Sequence, residues 1–123
     1  MDLQIETREQ EGVTVVSCQG KLVLGEETTA FGNQVRALLQ EKPVFVMDLS
    51  GLSYADSSGI GTLMGLFVAA RACNGEIKFA QPSDRIAKVL KSMQLVGVLG
   101  MYPNVDDAVR SLKSSSGAAG GPF

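Results

Sequence analysis

The stretch of residues 48–65 constrains the fold more than any other, because the chain changes there from strand to helix character. Residues 44–47, VFVM, follow Pro43 as a short apolar run, which is typical of a strand buried on both faces of a parallel sheet. Beyond residue 59, four apolar side chains recur at the spacing of one helix face: Ile60, Leu63, Met64 and Phe67. The sequence therefore predicts a buried central strand and the most amphipathic helix of the chain, joined by a polar turn.

The polar turn carries three side chains that can cap a helix, namely Asp56, Ser57 and Ser58. Each can accept a hydrogen bond from the free backbone amides of the first helical turn. Capping alone would explain one such residue, and a role in capping is the default interpretation of a single serine. Three of them in succession indicate that the turn has a second function.

The side of this helix opposite the apolar stripe is nearly free of bulky side chains. It carries Ser58, Gly61, Thr62, Gly65, Ala69 and Ala72. Small residues allow another backbone to come close. Two interpretations are equally supported by the residues: the neighbour is another helix of the same domain, or it is the surface of a partner protein.

The rest of the chain predicts an α/β sandwich. Residues 3–8 and 13–18 alternate as an opening hairpin, a helix follows Glu26 and ends before Pro43, and a shorter strand contains Ile77 and Phe79. A helix begins near Ser83, residues 96–101 form a last short strand, and a final helix covers residues 105–112. We expect a mixed, mostly parallel sheet of four to five strands with about four helices packed on its faces.

Composition sets the domain count and excludes several kinds of function. A chain of 123 residues forms one domain, here residues 1–113, and the small-residue segment 114–123 is predicted to be a disordered C-terminal tail. A net charge of −2 argues against direct binding of nucleic acid, and the nearest basic cluster, Arg85, Lys88 and Lys91, is interpreted as a solvated helix face. The polar N-terminus is unlike a signal peptide, and the lack of a long apolar run predicts that the chain does not insert into a membrane.

The sequence offers little for catalysis or for a cofactor. Histidine is absent, which removes imidazole bases and most zinc sites, and no phosphate-binding GxxxxGK[ST] motif occurs. Ser58 does not lie in a GxSxG motif. We therefore predict a protein that is not an enzyme and binds no cofactor or metal. Cys18 and Cys73 are interpreted as reduced, core or half-buried thiols, which fits a cytoplasmic protein.

The order of these motifs resembles the STAS domain, and most of all the bacterial anti-sigma factor antagonists. DLSG at residues 48–51, DSSGIG at residues 56–61 and the helix after them carry the resemblance, which extends over residues 3–112. It implies that the unmodified protein binds an anti-sigma factor with serine kinase activity and thereby frees a sigma factor. It also implies that the kinase phosphorylates the second serine of the motif, which ends the complex, and that a serine phosphatase reverses the modification.

Carried over by position, the resemblance makes Ser58 the phosphoacceptor. The partner-binding surface it implies comprises Asp56, Ser57, Ser58, Gly59, Gly61, Thr62 and Gly65. Many family members place an acidic residue just after Gly-x-Leu, in the loop near the phosphoacceptor, where this chain has Val23.

Two other functions remain open from the residues. The first is an interaction module without phosphorylation, such as a scaffold subunit of a signalling assembly or the cytoplasmic subunit of a lipid or anion transport system. The second is a small enzyme or nucleotide-binding protein that uses the Ser-Gly turn.

Overall fold

A four-stranded sheet forms the centre of the protein, and the computed structural model describes residues 3–117. Its strands are β1 (Gln4–Gln10), β2 (Val13–Leu22), β3 (Val44–Ala55) and β4 (Glu76–Ala80), in the spatial order β1-β2-β3-β4. β1 pairs antiparallel with β2, and β3 pairs parallel with both β2 and β4. The predicted α/β fold with a mixed, mostly parallel sheet is confirmed.

Helices cover both faces of the sheet. They are α1 (Glu26–Glu41), α2 (Ser57–Ala72), α3 (Asp84–Ser92), α4 (Val96–Leu99) and α5 (Val105–Gly117). Side chains alternate along β3, so that Phe45 and Met47 pack in one core cluster with α1, α2 and α3, while Val46 packs in a second cluster with α5. All three side chains are fully buried, which confirms that this strand is central. Val44, predicted to be buried with them, is 43% exposed.

β3 is much longer than the predicted strand of residues 44–47. The strand continues to Ala55, and β2 pairs with it as far as Leu22 and Ala55. Its apolar residues Leu49 and Leu52 are buried, while the polar and small residues between them lie at exposed positions. The turn between strand and helix is thereby reduced to a single residue, Asp56.

The strand predicted over residues 96–101 is wrong. Residues Val96–Leu99 form the short helix α4, which ends where Gly100 adopts a left-handed conformation with φ of 66°. Only Leu99 of this helix is buried, so the apolar run reflects exposed valines and not a buried strand. After α4, a single residue pairs with the sheet: Tyr102 forms a parallel bridge with Ala80.

Two further expectations can be compared with the described residues. Helix α5 continues to Gly117, four residues past the predicted domain end at residue 113, and the remainder of the predicted tail, residues 118–123, lies outside the described part. None of the helices within residues 3–117 is long and apolar enough to cross a membrane.

The two thiols differ in their surroundings. Burial, reinforced by the negative charge of Asp48, raises the pKa of the Cys18 thiol to about 12, so this side chain stays protonated in the core. Cys73 is exposed, which corrects the expectation that both cysteines are at least half-buried.

Candidate functional site

The junction between β3 and α2 is built around one carboxylate. Asp56 is the N-cap of α2, and its Oδ1 accepts a hydrogen bond of 2.8 Å from the backbone N–H of Gly59. Ser57 and Ser58, which the sequence also offered as caps, make no side-chain hydrogen bond to any other described residue. Because Asp56 alone caps the helix, both serine hydroxyls remain available for another role.

The same carboxylate also holds the loop between β2 and α1. Oδ2 of Asp56 accepts a hydrogen bond of 3.0 Å from the backbone N–H of Leu24, 32 residues away in the chain. The backbone N–H of Asp56 donates in turn to the carbonyl oxygen of Leu22, at 3.2 Å. The amides of Leu24 and then Gly59 hold the pKa of the Asp56 carboxyl below its usual value, because they stabilise the charged form.

The lowered pKa predicts how stability depends on pH. Because the folded-state pKa lies below the unfolded value of about 3.9, Asp56 contributes its full stabilisation above about pH 5. That contribution is lost as the pH falls through the folded-state pKa. We expect wild type to be more stable than Asp56→Asn above pH 5 and the difference to shrink below about pH 4. Urea unfolding of both proteins over this range measures it, and a difference that is constant down to the lowest pH would contradict the assignment.

Gly59 is required where α2 crosses the end of β2. A Cβ added at Gly59 would lie 1.8 Å from the carbonyl oxygen of Leu22. That oxygen cannot move away freely, because it accepts the hydrogen bond from Asp56. Gly61, two residues further along the same helix, has no atom within 4 Å of an added Cβ. Gly59, placed by the sequence on the partner-binding surface, is therefore buried and holds the helix against the sheet.

These two glycines give a matched pair of substitutions. Gly59→Ala is expected to cost about 2 kcal/mol or more, because either α2 or the end of β2 must shift. Gly61→Ala is expected to stabilise the protein by up to about 1 kcal/mol, since alanine has a higher helix propensity than glycine at an exposed position within a helix. Thermal unfolding of both variants measures the contrast. Equal effects of the same sign would show that the close approach at Gly59 does not govern stability.

One part of the small-residue side of α2 packs against α1. A Cβ added at Gly32 of α1 would lie 3.5 Å from Thr62 Cγ2, and one added at Gly65 would lie 3.3 Å from the Arg36 guanidinium. Thr62 and Gly65 are half-buried as a result. At Thr62 and Gly65, the small side chains therefore allow close packing against a helix of the same domain, α1.

Gly61 and Ala72 of that side face solvent, together with Ser57 and Val68 next to them. We call Ser57, Gly61, Val68 and Ala72 the outer face of α2, because all four are exposed and lie within about 60° of one another around the helix. Val68 is 59% exposed and was not identified from the sequence. No charged residue occurs in α2 before Arg71 in its last turn. An exposed helix face without charge is typical of an interaction surface.

The core side of α2 also differs from the prediction. Leu66 is fully buried together with Ile60 and Leu63, whereas Met64 and Phe67 are only half-buried. The helix is apolar around most of its circumference, and α3 is the more amphipathic of the two. The apolar side chains of α2 therefore do not identify its buried face on their own.

Ser58 and Val23 lie at the border between α2 and the β2–α1 loop. Ser58 is half-buried and shares a helix stripe with Thr62 and Gly65, the residues that face α1, while Ser57 points outward and is exposed. Val23 is half-buried, and its carbonyl oxygen accepts a hydrogen bond from the Thr28 hydroxyl.

A family model that describes the STAS domain matches residues 4–108. The chain belongs to the STAS domain family. It is 25% identical over 115 residues to the anti-sigma F factor antagonist of Paenibacillus polymyxa, an alignment that covers 92% of this chain and 97% of the relative.

Solved structures of STAS proteins share the fold. An anti-sigma factor antagonist from Mycobacterium paratuberculosis superposes with a TM-score of 0.77 at 20% identity, covering 91% of this chain and 95% of that one. The anti-sigma factor antagonist SpoIIAA in its unphosphorylated form gives a TM-score of 0.62 at 23% identity, covering 90% and 96% of the two chains. SpoIIAA of Bacillus in its phosphorylated form gives 0.58 at 21% identity, covering 89% and 98%.

Proposed function

We propose that this STAS protein is an anti-sigma factor antagonist controlled by phosphorylation of Ser58. Its unmodified form binds an anti-sigma factor with serine kinase activity and so releases a sigma factor, in the cytoplasm. Phosphate on Ser58 ends the complex, and a serine phosphatase restores the binding form. The name of the Paenibacillus relative and the two forms in which SpoIIAA has been solved support this proposal.

The proposal rests on the different roles of Asp56 and of the two serines at the start of α2. Asp56 alone caps the helix, so the hydroxyls of Ser57 and Ser58 are not needed for folding. The uncharged outer face of α2 includes Ser57 and borders Ser58. A modification at this point changes the edge of an interaction surface, while the backbone hydrogen bonds of the sheet and the helices are retained.

A phosphate on Ser58 is compatible with the folded domain. Phosphoserine carries about −1.5 to −2 charges at neutral pH, and a helix N-terminus stabilises an anion through its free amides and dipole. The phosphate would make the edge of the partner surface bulky, hydrated and negative, next to the carboxylate of Asp56. A partner fitted to the unmodified surface would then have to strip water from two neighbouring anions.

Intact-mass spectrometry tests the modification directly. Incubation with ATP and the anti-sigma factor kinase from the same organism is expected to add one phosphate to wild type and to Ser57→Ala. No phosphate is expected on Ser58→Ala. A phosphopeptide that maps to Ser57 would contradict the assignment. Failure of both serines to accept phosphate would favour the STAS scaffold or transporter-associated subunit instead.

A further inference from the structure

Leu24 is the most exposed large hydrophobic side chain in the described part of the protein, at 79%. It lies in the loop of residues 23–25 between β2 and α1. A single exposed leucine is ordinary on a protein surface. Two further observations, the fixation of its backbone and its position next to Ser58, distinguish this one.

The backbone around Leu24 is held in place on both sides. Its N–H donates to Oδ2 of Asp56 at 3.0 Å, as described above. The carbonyl oxygen of Val23 accepts from the Thr28 hydroxyl, and that of Gly25 accepts from the backbone N–H of Thr29 at 3.2 Å. The loop therefore presents the side chain from a fixed backbone, so a partner that binds there does not have to order the loop.

The packing of α1 on α2 places this loop on the Ser58 side of the junction. Thr62 meets Gly32, and Gly65 meets Arg36 one turn further on, so the two helices advance side by side from the same end of the domain. One turn back from Thr62 on the same stripe is Ser58. It thus faces the beginning of α1 and the loop that carries Leu24.

We propose that Leu24 is an apolar anchor for the anti-sigma factor, filling an apolar pocket on that partner, and that Asp56 is the positioning residue that holds it beside Ser58. The inference rests on the proposed function and extends the interface beyond α2. The hydrogen bond to Asp56 makes Leu24 continuous with the phosphoacceptor turn, which the proposed function assigns to the same partner. A large side chain on a rigid loop at the centre of an interface contributes far more to affinity than the polar contacts around it.

Asp56 also links the anchor to the modification. The phosphate of phosphorylated Ser58 would compete with the Asp56 carboxylate for the free amides of the α2 N-terminus and would repel it. The bond from Leu24 to Asp56 is then weakened as well. Phosphorylation thereby acts on two parts of the interface, the edge of the outer face of α2 and the orientation of Leu24.

Calorimetry with the purified anti-sigma factor kinase tests the anchor. Leu24→Ala is expected to weaken binding at least tenfold with an unchanged melting temperature, since the side chain makes its contacts on the partner. Val44→Ala is the matched control, because Val44 is an exposed aliphatic residue at the opposite end of β3, and its affinity is expected to stay within twofold of wild type. Leu24→Ala with wild-type affinity for the kinase would overturn the proposal. So would a Leu24→Ala variant that binds the kinase normally but loses an association between two copies of this chain.

Amide hydrogen exchange tests the positioning role without the partner. Exchange at the Leu24 N–H is expected to accelerate in Asp56→Ala and in the phosphorylated protein, and to be partly restored in Asp56→Asn, whose amide oxygen can still accept the bond. Unchanged exchange in Asp56→Ala would overturn the positioning role. If wild type itself fails to bind the kinase, the proposed function and the anchor fall together. If wild type binds and Leu24→Ala binds equally well, only the anchor falls.

Discussion

Val46→Asp is expected to abolish folding at room temperature. The side chain of Val46 is fully buried between β3 and α5, where it packs with Val15, Ala80 and Val109. Lys78 is the register partner of Val46 in β4, but its ammonium is already paired with Glu76 at 2.8 Å, and burying a carboxylate in the otherwise apolar cluster costs several kcal/mol. The total stability of a domain of this size is about 5–15 kcal/mol. Far-UV circular dichroism and a melting curve measure the loss.

Val44→Asp supplies the matched control for this substitution. Val44 lies two residues earlier on the same strand and is 43% exposed, so the new carboxylate can remain hydrated. Its register partner in β4 is Glu76. The repulsion between the two acidic groups is expected to lower the stability by about 1 kcal/mol. A cooperative melting curve for Val46→Asp close to that of Val44→Asp would refute the central position of β3.

Local patterns in the sequence were sufficient to predict most of the fold. The patterns of residues 3–8 and 13–18 predicted the hairpin, and the positions of Glu26 and Pro43 predicted the bounds of α1. Ser83 was predicted at the start of a helix and is the N-cap of α3, with its hydroxyl accepting from the backbone N–H of Ile86 at 3.3 Å. These features depend on residues close together in the chain, which is why the sequence shows them.

The errors arose where distant contacts decide the structure. β3 extends to Ala55 because β2 continues to pair with it, although the residues involved, with Asp48, Ser50 and Ser53 among them, have the composition of a turn. Residues 96–99 are apolar enough for a strand, yet they form α4, and it is Tyr102, beyond this helix, that pairs with the edge of the sheet at Ala80. The length of β3 and the conformation of residues 96–99 both depend on contacts with segments that are distant in the sequence.

The candidate site could be predicted only in part for the same reason. The motif located the turn, but the bond between Asp56 and Leu24 joins residues far apart in the chain, and no local pattern indicates it. The sequence likewise could not divide the small residues of α2 between α1 and solvent. Gly59, Thr62 and Gly65 prove to be contacts within the domain, while Gly61 and Val68 face outward.

Phosphorylation of Ser58 is expected to weaken binding of the anti-sigma factor at least a hundredfold. A change of this size corresponds to about 2.7 kcal/mol, which desolvation of a dianion next to Asp56 can supply. Ser58→Ala is expected to bind within a few-fold of wild type, because this hydroxyl makes no hydrogen bond to another described residue and its loss leaves the surface flat. Ser58→Asp should weaken binding by less than the phosphate does, since a carboxylate brings one charge and fewer acceptor oxygens.

Titration calorimetry of these four proteins against the same anti-sigma factor kinase tests the central claim most directly. Each protein is first shown to have an intact fold by its melting curve, so that affinity alone is compared. The proposed switch predicts tight binding by wild type and Ser58→Ala, weaker binding by Ser58→Asp, and the weakest binding by phosphorylated wild type. Loss of binding in Ser58→Ala as severe as in the phosphorylated protein would show that the hydroxyl itself is the essential contact, and would contradict control by the charge on Ser58.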